Sequence, residues 1–193
     1  PNDLEVLMDL LREYRQGYSL RLAAADIAGL ISRAELSTAL CDLAEIILEQ
    51  ALTISAANLS PTQIPDILQR IGIVAYGKLG SRELGYNSDL DLIFLCEQET
   101  GGESDSTTGY HKYSRLVQRL VHVLTTRTQA GQLYEIDMRL RPSGRSGMAI
   151  NTLTGFASYQ LQQAHAWEHQ ALVRARMVLG SNSLQKQFEL VRR

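Results

Sequence analysis

The sequence has little cysteine, no long apolar run and no excess of charge of one sign. Each absence removes a class of protein. Cys41 and Cys96 are the only cysteines. They stand far apart in apolar segments, which reads as two buried thiols in a reducing compartment rather than a disulfide or a paired-cysteine metal site. No apolar stretch approaches the roughly 18 residues that cross a bilayer, and no basic segment followed by an apolar core opens the chain. The expected location is the cytoplasm, with no membrane partner. Nineteen Lys and Arg against twenty-one Asp and Glu leave a formal charge of -2, too balanced for bulk attraction to nucleic acid. Any affinity for phosphate must therefore be local. There is also no internal repeat and no evident linker.

What is present is an ordinary folded composition, 45% hydrophobic and 21% charged over 193 residues, enough for a sizeable core without staples. The chain ends at Arg193 inside a helix-like run, so it is expected to be a piece of a longer protein. Residues 4 to about 57 read as helices, with Leu36, Leu40, Leu43, Ile47 and Ile54 marking one buried stripe. Ser32 with Glu35 is a capping-box start, and Ser60-Pro61 with Gln63 predicts a further short helix. At Ile71 the texture changes to short β-like runs punctuated by glycine. Strands are expected at Ile73 to Tyr76, Leu90 to Leu95 and Leu133 to Leu140, with a short helical stretch from Arg82 to Leu84. Glu99 to Gly109 reads as a polar loop, Tyr113 to Leu124 as an amphipathic helix, and Phe156 to Leu179 as a helical tail stopped by Gly180. The order predicts an α+β fold with helices against one sheet.

The chemistry concentrates in Asn87 to Leu95. Side chains alternate along a strand, so Asp89 and Asp91 share one side while Leu90, Leu92 and Phe94 pack on the other. Two carboxylates held together repel unless a cation sits between them, and their hard oxygens suit Mg²⁺. On the third strand Glu135, Asp137, Arg139 and Arg141 share a face. Laid beside the second strand, it brings Asp137 to the pair and two arginine forks to a phosphate. Upstream, the Gly77 to Ser81 turn leads from a strand into a helix start. Gly80 there allows close approach of a phosphate and Ser81 adds a hydroxyl.

Two patterns are decoys. Gly72 to Lys78 has Walker A spacing, but Leu79 stands where a Mg²⁺-binding hydroxyl is needed and the intervening residues read as strand. His165, Glu168 and His169 fit H-x-x-E-H, a zinc-peptidase pattern, without the third ligand it requires. Glu168 is better read as a buttress of the fold or the nucleotide site.

Together, Tyr76-Gly77-Lys78-Leu79-Gly80, Glu83-Leu84-Gly85-Tyr86, Ser88-Asp89-Leu90-Asp91-Leu92, Asp137-Met138-Arg139-Leu140-Arg141-Pro142 and Trp167-Glu168 with Ala175-Arg176 resemble the bacterial glutamine synthetase adenylyltransferases. The match covers about Ile71 to Arg176. It implies a polymerase-β-like nucleotidyltransferase fold, a small mixed sheet packed against helices, with residues 1–70 as a helical lead-in and 71–193 as catalytic core and C-terminal helices. That family carries two such domains, one attaching AMP to a tyrosine of glutamine synthetase and one removing it by phosphorolysis. Tyr76, Leu90, Pro142-Ser143-Gly144 and His169 to Arg174 are similar to the adenylylating half. Ser81 departs from the second glycine frequent in the family.

The resemblance implies ATP as substrate and Mg²⁺ as cofactor, held by Asp89, Asp91 and Asp137. It places nucleotide contacts at Gly80, Ser81, Ser88, Arg139, Arg174 and Arg176. Glutamine synthetase would be the protein substrate and the PII signalling protein a partner acting through the full-length enzyme.

Overall fold

The computed structural model describes residues 3–56, 64–97 and 103–193, with side chains for all of these but 103–109 and 145. Two 24-residue helices lead, α1 (Leu4–Ile27) and α2 (Arg33–Ala56). The second begins at the expected capping box. The Ser32 N–H donates to Glu35 Oε2 at 2.7 Å, and the Glu35 N–H donates to Ser32 Oγ at 3.3 Å. These bonds hold the Glu35 carboxyl below its ordinary value. Leu36, Leu40, Leu43 and Ile47 are buried, and Ile54 packs half-buried against them. The predicted start at Ser60-Pro61 lies outside the described residues; helix α3 spans Ile64–Arg70.

The sheet begins where the texture changes. Strand β1 (Ile71–Ala75) is buried along its whole length. It runs antiparallel to β2 (Leu90–Cys96) on one side and to β5 (Arg176–Leu179) on the other. The free edge of β2 is completed in parallel by two short pieces, β3 (Ile136–Asp137) and then β4 (Ile150–Thr152). The sheet is thus small and mixed, and the class is α+β.

Both faces are covered. Ile71, Ile73 and Ala75 with Leu90, Leu92 and Phe94 pack toward α1, α2 and α5 (Glu103–Thr125). Val74 and Tyr76 with Ile93 and Leu95 pack toward α6 (Leu153–Gln162), α7 (Ala166–Val173) and α8 (Asn182–Arg192). Buried Arg12 ties the lead-in to the core: its guanidinium donates to the carbonyls of Val123 at 3.0 Å and Gly131 at 2.8 Å, at and beyond the end of α5.

Four expectations need correction. Residues 103–109, read as loop, lie in the first turns of α5; a polar composition does not by itself exclude a helix. The helix after β1 comes earlier than predicted, as the single turn α4 (Gly77–Gly80), and Arg82 follows it with φ 61°. The third strand shrinks from eight residues to two, because β2 offers it only Leu90 and Asp91 before β4 takes over the same edge. The helical tail breaks at Arg174, and Arg176 to Leu179 forms β5. There Met177 and Val178 bury on opposite faces of a sheet whose central strand needs a second neighbour.

Candidate active site

The site forms where β1 and β2 meet the turn between them. The Tyr76 N–H donates to the Asp91 carbonyl at 2.9 Å, locking the end of β1 to the start of β2. Gly77 then turns with φ +52°. A Cβ there would stand 2.3 Å from Asp91 Oδ2, so the absent side chain makes room for the carboxylate. Tyr76 is buried, and burial together with the nearby Glu168 charge pushes its hydroxyl well above the ordinary tyrosine value.

Asp91 and Asp137 are register partners across the parallel β2–β3 pair, on strands about 4.8 Å apart. Burial raises the Asp91 carboxyl, and the charges of Asp89 and Asp137 raise it further, opposed by Arg139 and Lys78. Three acidic groups therefore interact at one place. Asp137 is also held by its neighbour: the Arg139 N–H donates to Oδ1 at 2.8 Å and Nε to Oδ2 at 2.6 Å, with Nη2 closer still. Those bonds raise the Arg139 guanidinium in turn, the Asp137 contact first among the causes. Among the described residues, no three His, Cys, Asp or Glu side chains stand arranged to hold a metal ion.

The expected arginine face is replaced by a turn. Beyond Asp137 the backbone leaves the strand, so Arg139 folds back on Asp137, while Arg141 donates to the Gly147 carbonyl at 3.2 Å and the Met138 carbonyl at 3.3 Å. Arg141 thereby holds the 138–147 turn.

The glycine turn also differs in detail. A Cβ on Gly80 would meet the Arg174 carbonyl at 2.1 Å and the Ala75 carbonyl at 2.6 Å. The glycine is thus required by close packing of α4 on the protein's own backbone. The N–H groups of Gly80 and Ser81 donate to the carbonyls of Tyr76 and Gly77, each at 3.0 Å. Ser81 Oγ lies 3.0 Å from both the Gly77 carbonyl and Glu83 Oε2; its single proton serves one of them. Ser88 Oγ accepts the Gly85 N–H at 3.0 Å and closes the loop before Asp89.

Arg174 is exposed, 3.7 Å from Glu83. Arg176 is turned inward: Nη2 donates to Glu45 Oε1 at 2.6 Å and to the Leu79 carbonyl at 3.2 Å, and Nε to the Gly80 carbonyl at 3.4 Å. Its partners were not legible in the sequence, because Glu45 lies 131 positions away on a helix that reads as scaffold.

A cavity of about 980 Å³ opens beside the turn, lined by Lys78, Arg82, Gly85, Tyr86 and Ser88 with Arg33 and Ser37 of α2. That volume suits a nucleotide-sized ligand. A smaller recess of about 220 Å³ is lined by residues that include Ser88, Asp89, Tyr134 and Glu135.

The H-x-x-E-H residues serve the fold. His165 precedes α7 as its cap residue and gives its N–H to Glu168 Oε2 at 2.8 Å; Tyr159 donates to Oε1 at 2.9 Å. His169 Nε2 pairs with the Gln160 carbonyl at 2.9 Å. Gly72, the first glycine of the Walker-like spacing, lies inside β1. No helix among the described residues is long and apolar enough to cross a membrane.

Comparison with known proteins places the chain among relatives. A relative from Pseudomonas syringae pv. tomato, the bifunctional glutamine synthetase adenylyltransferase/adenylyl-removing enzyme, is 44% identical over 99% of this chain. Proteins of the same description from Shewanella oneidensis and Shewanella woodyi are 41% and 40% identical over 99% and 98% of it. The chain covers 20% of the first of these and 21% of the other two, about a fifth of their length. The sequence profile of the family described as Glutamate-ammonia ligase adenylyltransferase matches residues 1–191. With that coverage and that identity, a fold of the nucleotidyltransferase type is established and the chain belongs to the glutamate-ammonia ligase adenylyltransferase family.

Proposed function

We propose that this chain transfers AMP from ATP to a tyrosine hydroxyl of glutamine synthetase and releases pyrophosphate. Residues 1–193 act as one nucleotidyltransferase unit, 1–70 its helical lead-in. The observation that carries the reading is the register pairing of Asp91 with Asp137, in an electrostatic cluster that also includes Asp89.

The donor set suits a hard divalent cation. It consists of oxygens only, and Asp91 is raised by burial and then by its neighbours' charges, an unfavourable state that a cation relieves. Asp89, Asp91 and Asp137 would hold Mg²⁺, which when bound supplies positive charge to the phosphates and to the developing alkoxide. The remaining work falls to the chain. Ser81, Ser88, Arg174 and Arg176 border the place where the triphosphate would lie, with Gly80 giving the turn its tight seat. Arg139, with its side chain 67% exposed, is free to swing from Asp137 toward a phosphate oxygen. Asp137 Oδ would then take the tyrosine proton as the tyrosine oxygen bonds to the α-phosphorus and the bond to pyrophosphate breaks in line. The setting is the cytoplasm, and PII would act through the full-length enzyme.

Incubation with labelled ATP, Mg²⁺ and unmodified glutamine synthetase tests this. The expected product, read by mass spectrometry, is AMP on a tyrosine. Phosphate-dependent loss of AMP from modified enzyme, with no addition from ATP, would assign the chain to the removing half.

A further inference from the structure

We infer that Glu45, on the helical lead-in, is a positioning residue for the phosphate-side turn, acting through Arg176 and Arg82. The inference rests on the transferase reading for its kinetic consequence only.

One face of α2 seats the turn. Asp42 and Glu45 are three apart on the helix and share that face. Glu45 Oε1 accepts from Arg176 Nη2 at 2.6 Å and from Arg82 Nη1 at 3.3 Å, and Asp42 Oδ1 accepts from Arg82 Nη2 at 2.5 Å. The Glu45 side chain is 23% exposed, so the pair with Arg176 is partly shielded from solvent. Cys41, one residue before Asp42, is buried near the same groups, close to the Leu84 backbone and to Arg82, Glu45 and Arg176.

Both arginines act on the backbone of the site. Arg176 bridges the Glu45 carboxylate to the carbonyls of Leu79 and Gly80. These are carbonyls at the end of a one-turn helix, which has too few internal bonds to hold its own shape. Arg82 stands at φ 61°, a left-handed conformation that is unfavourable for a side-chain-bearing residue and persists where contacts hold it. Here those contacts are Asp42 and Glu45. The backbone then runs from Arg82 to Asp89 in seven residues. Remove the carboxylate, and two cations lose a common acceptor while the turn loses its anchor on the lead-in.

The test compares Glu45→Gln, which keeps an acceptor oxygen, with Glu45→Ala, and uses Glu189→Gln as a control for loss of an exposed ion pair on α8. Hydrogen exchange reads the turn without need of activity. The amides of Gly80, Ser81 and Glu83 should exchange roughly tenfold faster or more in Glu45→Ala, with β2 amides little changed. In the transfer assay, kcat should fall by a similar roughly tenfold factor or more in Glu45→Ala and be largely rescued in Glu45→Gln, with KM for ATP moving less than kcat. The control should match wild type. Unchanged exchange at the turn in a folded variant, or faster exchange with unchanged kcat, would overturn the inference. If Glu45→Ala does not fold, Glu45→Met, which keeps the bulk of the side chain and removes the acceptor, decides on exchange alone: faster turn amides support the anchor and unchanged ones reject it. A wild-type chain inactive toward glutamine synthetase would defeat the transferase reading, and the exchange result would still decide the anchor.

Discussion

A Cβ built on Gly77 would lie 2.3 Å from Oδ2 of Asp91: the carboxylate occupies the space a side chain at residue 77 would take. Turn and acid are therefore one unit, joined again by the Tyr76 N–H on the Asp91 carbonyl.

Gly77→Ala should be costly on two grounds, the positive φ and the overlap with Asp91. A loss of about 2 kcal/mol or more is expected in urea unfolding, together with a fall in transfer activity as Asp91 is displaced. Wild-type activity in this variant would detach Asp91 from the chemistry.

Asp89→Asn, Asp91→Asn and Asp137→Asn should each lower transfer by about a hundredfold or more, since each tenfold corresponds to ~1.4 kcal/mol and several kcal/mol of charge stabilisation is lost. The folds should survive. Mg²⁺ should raise the melting temperature of the wild type and have less effect on each variant. A variant that keeps near-normal transfer is removed from the site.

The raised Asp91 carboxyl makes a separate pH prediction. A native group that holds its proton more tightly than the unfolded one contributes stability below the ordinary aspartate value of about 4. That contribution is lost as pH rises from there through the raised native value. Asp91→Asn does not titrate, so its stability should fall less than that of wild type over this window without added cation. Urea midpoints from acid to neutral pH measure the difference, and parallel curves would contradict it.

Around α7 the two prominent residues should behave oppositely. Trp167 is 54% exposed, so Trp167→Ala should cost less than about 1 kcal/mol. Glu168 is buried and bonded to the Tyr159 hydroxyl and the His165 N–H, so Glu168→Ala should cost roughly 2–3 kcal/mol. His165→Ala should leave transfer within a few-fold of wild type. Thermal melts and the labelled-ATP assay check all three.

The sequence was most legible where local pattern and tertiary environment agree. The Ser32–Glu35 box, the stripe from Leu36 to Ile47, and the alternation of Leu90, Leu92 and Phe94 against Asp91 are each set by neighbours within a few residues. Strand β5 was not legible, because Arg176 to Leu179 carries an apolar pattern that suits a helix end as well, and only its pairing with β1 decides. The extent of β3 was hidden for a related reason: β4, a dozen residues on, takes the next stretch of the same edge. Arg139 and Arg141 read as phosphate forks because both charges fit a strand face, whereas the turn gives them an acid and carbonyls to bind first. Glu45 carried no signal at all, since a glutamate on a helix is ordinarily a solvated charge.

Strand β1 sits between β2 and β5, and its two partnerships differ greatly in reach. The first closes across residues 76–89; the second joins Ala75 to Arg176 across roughly a hundred residues of chain. During synthesis, β1 and β2 can pair early, but the other edge of β1 stays open until Leu179 has emerged from the ribosome. The interval is one in which an apolar strand, later buried along its whole length, offers its hydrogen bonds to any passing chain. Vectorial folding of this sheet therefore waits on β5, and the strand that completes the sheet also ends its exposure to aggregation.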